Sequence, residues 1–252
     1  MHQEPERALG LPPGTAACLF DMDGVVTRTA LVHAAAWKAM FDAFLRQWSQ
    51  AHGGTFVPFD AVRDYDEYVD GKPRLDGTRS FLAARGITLP EGSQDDPQDA
   101  QTVYGLSNRK NALVQEKLET DGVQVYEGSD RYIRKARAAG LRTAIVSSSA
   151  NTVQVLKAGN IEDLFDARVD GVVADERRLA GKPAPDMFLT AARELGVPPA
   201  RAAVFEDALA GVAAGRAGGF GLVVGVDRVG QVGELREHGA DVVVKDLAEL
   251  LA

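Results

Sequence analysis

Ala16-Ala17-Cys18-Leu19-Phe20-Asp21-Met22-Asp23-Gly24-Val25-Val26-Thr27-Arg28-Thr29 is the stretch around which the chain is organised. Ala16 to Phe20 is an uninterrupted apolar run, which predicts a short buried strand. It stops at Asp21-Met22-Asp23-Gly24. Residues i and i+2 of an extended chain face the same way, so Asp21 and Asp23 start close together at the strand's carboxyl tip. Carboxylates that close repel unless a cation or a shared proton intervenes, and hard oxygen donors suit Mg²⁺. Gly24 permits a sharp turn or a close approach. By itself the motif also fits an acidic surface turn. A calcium loop is ruled out by spacing, because Val25 and Val32 occupy its fifth and twelfth positions, where oxygen ligands are required.

Composition narrows the class. With 252 residues, 45% apolar and 25% charged, the chain has room for one large domain or two smaller ones. A net charge of −8 argues against a nucleic-acid or anionic-membrane surface, while local positive charge still allows a phosphorylated substrate. The single cysteine, Cys18, excludes an internal disulfide and reads as core packing in the first strand. There is no membrane-length apolar run, and residues 1 to 15 lack a signal-peptide core, so the expected location is cytoplasmic.

Downstream, Leu31 to Gln50 predicts a long helix. Trp37, Met40, Phe41, Phe44, Leu45 and Trp48 form an apolar stripe along it, and core packing is the simplest role for both tryptophans. Short helices are expected over 60–69, 78–85 and 100–119, with Asp70 to Gly77 as a polar turn bearing Lys72 and Arg74. No strand is convincing between 30 and 120, which reads as an inserted helical domain. From 121 the rhythm changes. Strand-like runs at 142–146, 202–205, 221–226 and 241–244 alternate with helical stretches at 129–139, 151–158, 185–195 and 208–217. The predicted fold is α/β: a doubly wound parallel sheet from 1–29 and 121–252, with an inserted helical domain from 30–120.

Ligands of such sheets bind beyond the strands' carboxyl ends. After 142–146 comes Ser147-Ser148-Ser149-Ala150-Asn151 at a helix start, suited to an anion or simply to capping. After 202–205 comes Glu206-Asp207, further metal ligands or an acidic cap. Lys182, in Gly181-Lys182-Pro183-Ala184-Pro185-Asp186, is kept out of the next helix by two prolines and can neutralise a phosphate and a carboxylate together. These parts fit one reaction, in which Asp21 attacks phosphorus to give an aspartyl-phosphate, Mg²⁺ and Lys182 offset the charge, and Asp23 serves as acid and base. P-loop and dinucleotide fingerprints are absent.

These elements, in this order, resemble the haloacid dehalogenase superfamily over almost the whole chain, which implies a Rossmann-like core with a helical cap over 30–120. The resemblance implies that Asp21 is the nucleophile and Asp23 the acid/base, with a main-chain carbonyl to Mg²⁺. It also implies that Asp207 is the side-chain metal ligand, with Glu206 nearby. The segment Asp-Gly-Val-Val-Thr-x-Thr-Ala-x-x-His-x-x-x-Trp-Lys is similar to the β-phosphoglucomutase-like subgroup. By that resemblance Thr29 is a hinge threonine and His33 a cap histidine coupled to the acid/base. Trp37 belongs to the substrate-binding set, Arg74 grips a distal phosphate with Lys72 as a close competitor, and Lys110 and Asn111 lie near the sugar. Ser147, Ser149 and Asn151 form the phosphate loop. Arg28 departs from the subgroup's aspartate, and Ala150 from its lysine. The implied activity is a sugar-phosphate mutase, with a phosphatase of the same chemistry as the alternative. A catalytically dead phosphate-binding protein is opposed by the intact Asp21, Asp23, Lys182 and Asp207. The expected partner is a small phosphorylated sugar, and the expected state is a monomer.

Overall fold

The computed structural model describes residues 6–251; residues 1–5 and 252, assigned above to the parallel-sheet segments, lie outside it. The chain divides into two compact units. One runs up to Thr29 and resumes at Val123, and the other is Ala30–Gly122.

The first unit is built on six parallel strands: β1 (Ala17–Phe20), β2 (Arg142–Val146), β3 (Ala167–Val169), β4 (Ala202–Glu206), β5 (Leu222–Val226) and β6 (Val242–Val244), in the order β3-β2-β1-β4-β5-β6. The amino-terminal strand therefore lies inside the sheet, between β2 and β4. Its four residues are all buried, which explains why the run is apolar throughout rather than alternating. Ala17 and Leu19 join the core formed with Met187, Phe188 and Val212. Phe20 stacks on Phe205 at 4.6 Å and meets Tyr132 edge-on.

Helices cover the strands: α4 (Glu127–Ala138), α5 (Thr152–Ala158), α6 (Gly171–Glu176), α7 (Asp186–Leu195), α8 (Leu209–Ala217) and α9 (Val232–Glu237). Among them β3, α6 and α9 have no counterpart in the sequence reading. Each is three to six residues long, too short for a period to register.

Within the second unit lie α1 (Thr29–His52, begun on the last residue of the first unit), α2 (Arg74–Ala84) and α3 (Val103–Asp121), with a short wide turn at Tyr65–Val69. The expected stripe is its core: Trp37, Met40, Phe41, Phe44 and Leu45 pack with Phe59, Phe81, Leu82 and Leu106, and Trp48 is partly buried against them. Asp70 to Gly77 is only half a turn. Helix α2 begins at Arg74, directly after Pro73, whose extended conformation (φ −54°, ψ 142°) is one proline adopts without cost. Gly77 reads as a breaker but is buried where a Cβ would stand 3.3 Å from Trp37, so it serves close packing. Among the described residues, no helix is long and apolar enough to cross a membrane.

Candidate active site

Strand register assembles the site. Phe20 is paired with Phe205 on one side and Ile145 on the other, so one step further on Asp21 is level with Glu206 and Val146. The Asp21 N–H donates to the Phe205 carbonyl at 2.9 Å, which extends the ladder to the acidic tip. Asp21, Glu206 and Asp207 are buried, and each offers an oxygen within 4.8 Å of the others'.

Lys182 reaches this cluster from the loop before α7, with its side chain fully buried. Its Nζ donates to an Asp21 oxygen at 2.5 Å, to Glu206 and to the Val146 carbonyl at 3.3 Å. These acceptors use all three ammonium protons. The Lys182–Pro183 peptide is cis. Burial alone would lower the Lys182 pKa, but the Asp21 and Glu206 charges outweigh it and hold the ammonium above its ordinary value. Burial also pushes the Asp21 carboxyl well above the usual carboxylate range; Lys182 opposes this, and Glu206 and Asp23 add to it. The carboxylates of Asp21, Glu206 and Asp207 thus gather beside the Lys182 ammonium, which bonds the first two. That excess of hard, anionic oxygen donors fits a divalent cation.

The Asp23 carboxylate faces elsewhere. One oxygen accepts from the Thr29 hydroxyl and the other from Ser147 Oγ at 3.1 Å. Thr29 is fixed in turn by Thr27 Oγ1 at 2.6 Å, and Thr27 bonds the Met22 carbonyl. Asp21 and Asp23 leave the strand as neighbours, yet only Asp21 joins the three-carboxylate cluster.

Beyond β2, the Ser147 and Ser149 hydroxyls accept the backbone N–H groups of Ser149 and Asn151, both at 3.1 Å. Two successive side-chain turns therefore shape the loop. Neither serine caps α5: Asn151 occupies the cap position and makes no side-chain cap bond. Glu206 is committed through both oxygens, one to Lys182 and one to the Ala208 N–H at 2.9 Å. Asp207 is thereby the better placed of the pair for a metal.

In the helical unit, Lys110 Nζ lies 2.7 Å from His33 Nδ1 and 4.8 Å from the Trp37 ring centroid. An ammonium has only protons to give, so Nδ1 accepts and the proton of a neutral His33 ring sits on Nε2. Trp37 is itself buried and stacked on Phe41 at 5.2 Å; its ring supports Lys110 from within the core. Arg74 opens α2, and its Nε is buried without a hydrogen-bond partner. Asn111 follows Lys110 on α3 and is half-buried. Lys72 bonds Ser80 Oγ and the Glu67 carbonyl, which leaves Arg74 the better candidate to meet an anion.

Arg28 stacks on Tyr126 at 4.7 Å, and Arg228 on the same ring at 3.7 Å. Arg228 and the neighbouring Gln231 escaped sequence reasoning, because they follow a strand tip with no motif around them.

Comparisons with known proteins agree with this geometry. The model of the haloacid dehalogenase-like hydrolase family matches residues 15–219. A β-phosphoglucomutase of Mycobacterium bovis is 59% identical over 248 residues, covering 97% of this chain and 95% of its own. A stretch of a Mycobacterium tuberculosis protein described as an uncharacterized glycosyl hydrolase is 39% identical over 232 residues, covering 92% of this chain but only 17% of that longer protein. The crystal structure of a hydrolase from Pseudomonas syringae superposes with a TM-score of 0.75 at 24% identity, covering 94% of this chain and 96% of that one. The chain belongs to the haloacid dehalogenase-like hydrolase family, in its β-phosphoglucomutase-like subgroup.

Proposed function

We propose that this enzyme is a sugar-phosphate mutase that interconverts β-glucose 1-phosphate and glucose 6-phosphate through a bound 1,6-bisphosphate. An Asp21 carboxylate oxygen attacks phosphorus as the bond from phosphorus to the sugar oxygen breaks, and Asp23 passes its proton to that oxygen. In the return step Asp23 takes the proton from the attacking sugar hydroxyl, and the phosphoryl group leaves Asp21. Entry of β-glucose 1-phosphate at the phosphorylated enzyme gives the bisphosphate through its 6-hydroxyl. Transfer of the 1-phosphoryl group back to Asp21 releases glucose 6-phosphate.

The hydrogen bonds from Thr29 and Ser147 hold the Asp23 carboxyl away from the cluster, in keeping with a proton carrier. Lys182 keeps its charge against Asp21 and would offset the transferring phosphoryl group. Asp21 and Asp207, with Glu206 behind them and the Asp23 main-chain carbonyl, would hold Mg²⁺, which neutralises this anionic set and the phosphoryl oxygens. Ser147, Ser149 and Asn151 would receive the transferring phosphate.

The observation that carries the mutase reading is Arg74 in the helical unit, a cation whose Nε is buried without a hydrogen-bond partner. A phosphatase needs one phosphate site; a bisphosphate needs two. Arg74, with its buried, unpartnered Nε, suits the distal phosphate. Lys110, with His33 and Asn111, suits the sugar. The high identity to a β-phosphoglucomutase supports this substrate, and the relative lying within a protein described as a glycosyl hydrolase supports carbohydrate.

Phosphorus NMR of the protein with Mg²⁺, β-glucose 1-phosphate and a trace of 1,6-bisphosphate tests the reading. Glucose 6-phosphate should grow without inorganic phosphate, and Arg74→Ala should abolish that conversion. Release of inorganic phosphate as the main product would instead make the enzyme a phosphatase.

A further inference from the structure

The loop after β5, residues 227–231, touches both acidic loops of the site. Asp227 is buried at the strand tip, where its N–H donates to the Val244 carbonyl at 2.8 Å. One Asp227 oxygen accepts the N–H groups of Gly230 at 2.7 Å and Gln231 at 2.8 Å, which closes the loop into a fixed shape. From this loop Arg228 Nε donates to the Gly24 carbonyl at 2.6 Å, while a second guanidinium nitrogen donates to the Lys245 carbonyl at 2.7 Å. The guanidinium face lies on Tyr126. Gln231 Nε2 donates to the main-chain carbonyl of Asp207 at 3.1 Å. Gly24 and Asp207 are themselves in contact, since a Cβ on Gly24 would lie 1.7 Å from Asp207 Oδ2.

We propose that the 227–231 loop is a clamp that sets the distance between the Asp21-to-Gly24 turn and Asp207, with Arg228 and Gln231 as positioning residues for the cation site. The proposal rests on the Mg²⁺ reading above. Both bonds end on main-chain oxygens, one residue after Asp23 and on Asp207 itself. The clamp therefore leaves the reacting carboxylates free while fixing the backbone that carries them. Contact between Gly24 and Asp207 prevents closer approach, and Arg228 and Gln231 oppose separation. Outer groups that orient ligands govern metal affinity strongly even though they never touch the ion. Arg228 also spans from the chain after β6 to the chain after β1, across β5 and β4 of the sheet order. A lysine keeps that charge but cannot reproduce the fork.

The test is isothermal titration of Mg²⁺ into the intact protein, its Arg228→Lys variant and its Gln231→Met variant. Melting temperatures are measured in parallel without metal. Each variant should bind Mg²⁺ about tenfold more weakly, while the metal-free melting temperature falls by no more than about 4 °C. In an Asp207→Asn background the Gln231→Met change should weaken Mg²⁺ no further, an outcome a purely structural role would not give. Wild-type affinity in both single variants would overturn the clamp and leave the Mg²⁺ reading intact. Failure of the unaltered protein to bind Mg²⁺ would overturn that reading and the clamp with it.

Discussion

Gly24 and Asp207 meet so closely that no side chain fits between them, for a Cβ on Gly24 would stand 1.7 Å from Asp207 Oδ2. Gly24 also has φ +96°, a conformation that side chains rarely adopt. Gly24→Ala must therefore displace either Asp207 or the turn carrying Asp23. The expected cost is about 1–3 kcal/mol in chemical denaturation, with turnover reduced far more than the stability loss implies.

The Lys182 ammonium pairs with both Asp21 and Glu206, and its side chain is wholly buried. Lys182→Met leaves two buried carboxylates facing each other. Breaking a buried pair by removing one partner costs about 3–5 kcal/mol. Metal-free Lys182→Met should be destabilised on that scale in urea unfolding, and Mg²⁺ should restore part of the loss. Stability equal to the unaltered protein would mean that Lys182 does not compensate these carboxylates.

Asp23 accepts hydrogen bonds from Thr29 and Ser147. Asparagine keeps one acceptor oxygen and cannot carry the proton. Asp23→Asn should lower kcat by about 10²- to 10⁴-fold, the range of general acid–base catalysis, with a much smaller effect on the melting temperature. Thr29→Val, which removes one hydrogen bond to Asp23 and keeps the shape, should lower kcat by less than Asp23→Asn does. Equal losses in the two variants would contradict the proton-carrier role.

Asp66 lies in the wide turn of the helical unit, where burial, helped by Asp60, pushes its carboxyl up to about 6. A carboxyl with a raised folded-state pKa binds its proton more tightly when folded, so stability falls as pH rises through that value. Asp66→Asn should therefore raise the melting temperature at pH 8. The gain should shrink as pH drops through about 6 and vanish near the unfolded carboxyl's pKa of about 4. A gain of constant size across that range would exclude Asp66 titration as its cause.

The sequence by itself determined the architecture and the acidic and polar groups that it places at the carboxyl ends of the strands. Ala17 to Phe20 is apolar on both faces because its strand is buried on both. The Trp37-to-Leu45 stripe is apolar because it is one helix face packed in a core. Asp21, Ser147 and Glu206-Asp207 are legible because parallel strands place such groups at carboxyl tips, and Lys182 because the prolines after it keep it out of helix α7. Tertiary structure alone decided which of these touch. Asp23 is two residues from Asp21, but Thr29 and Ser147 turn its carboxylate away. Helix α2 starts at Arg74, inside the segment that reads as a turn, and carries Gly77 into close packing beside Trp37. Trp37 lies behind Lys110, within the core. Arg228 and Gln231 bind carbonyls, which every residue carries, and so leave no trace in residue type. Local pattern reports periodicity and chemistry; pairing across more than a hundred residues appears only when strand register brings the partners side by side.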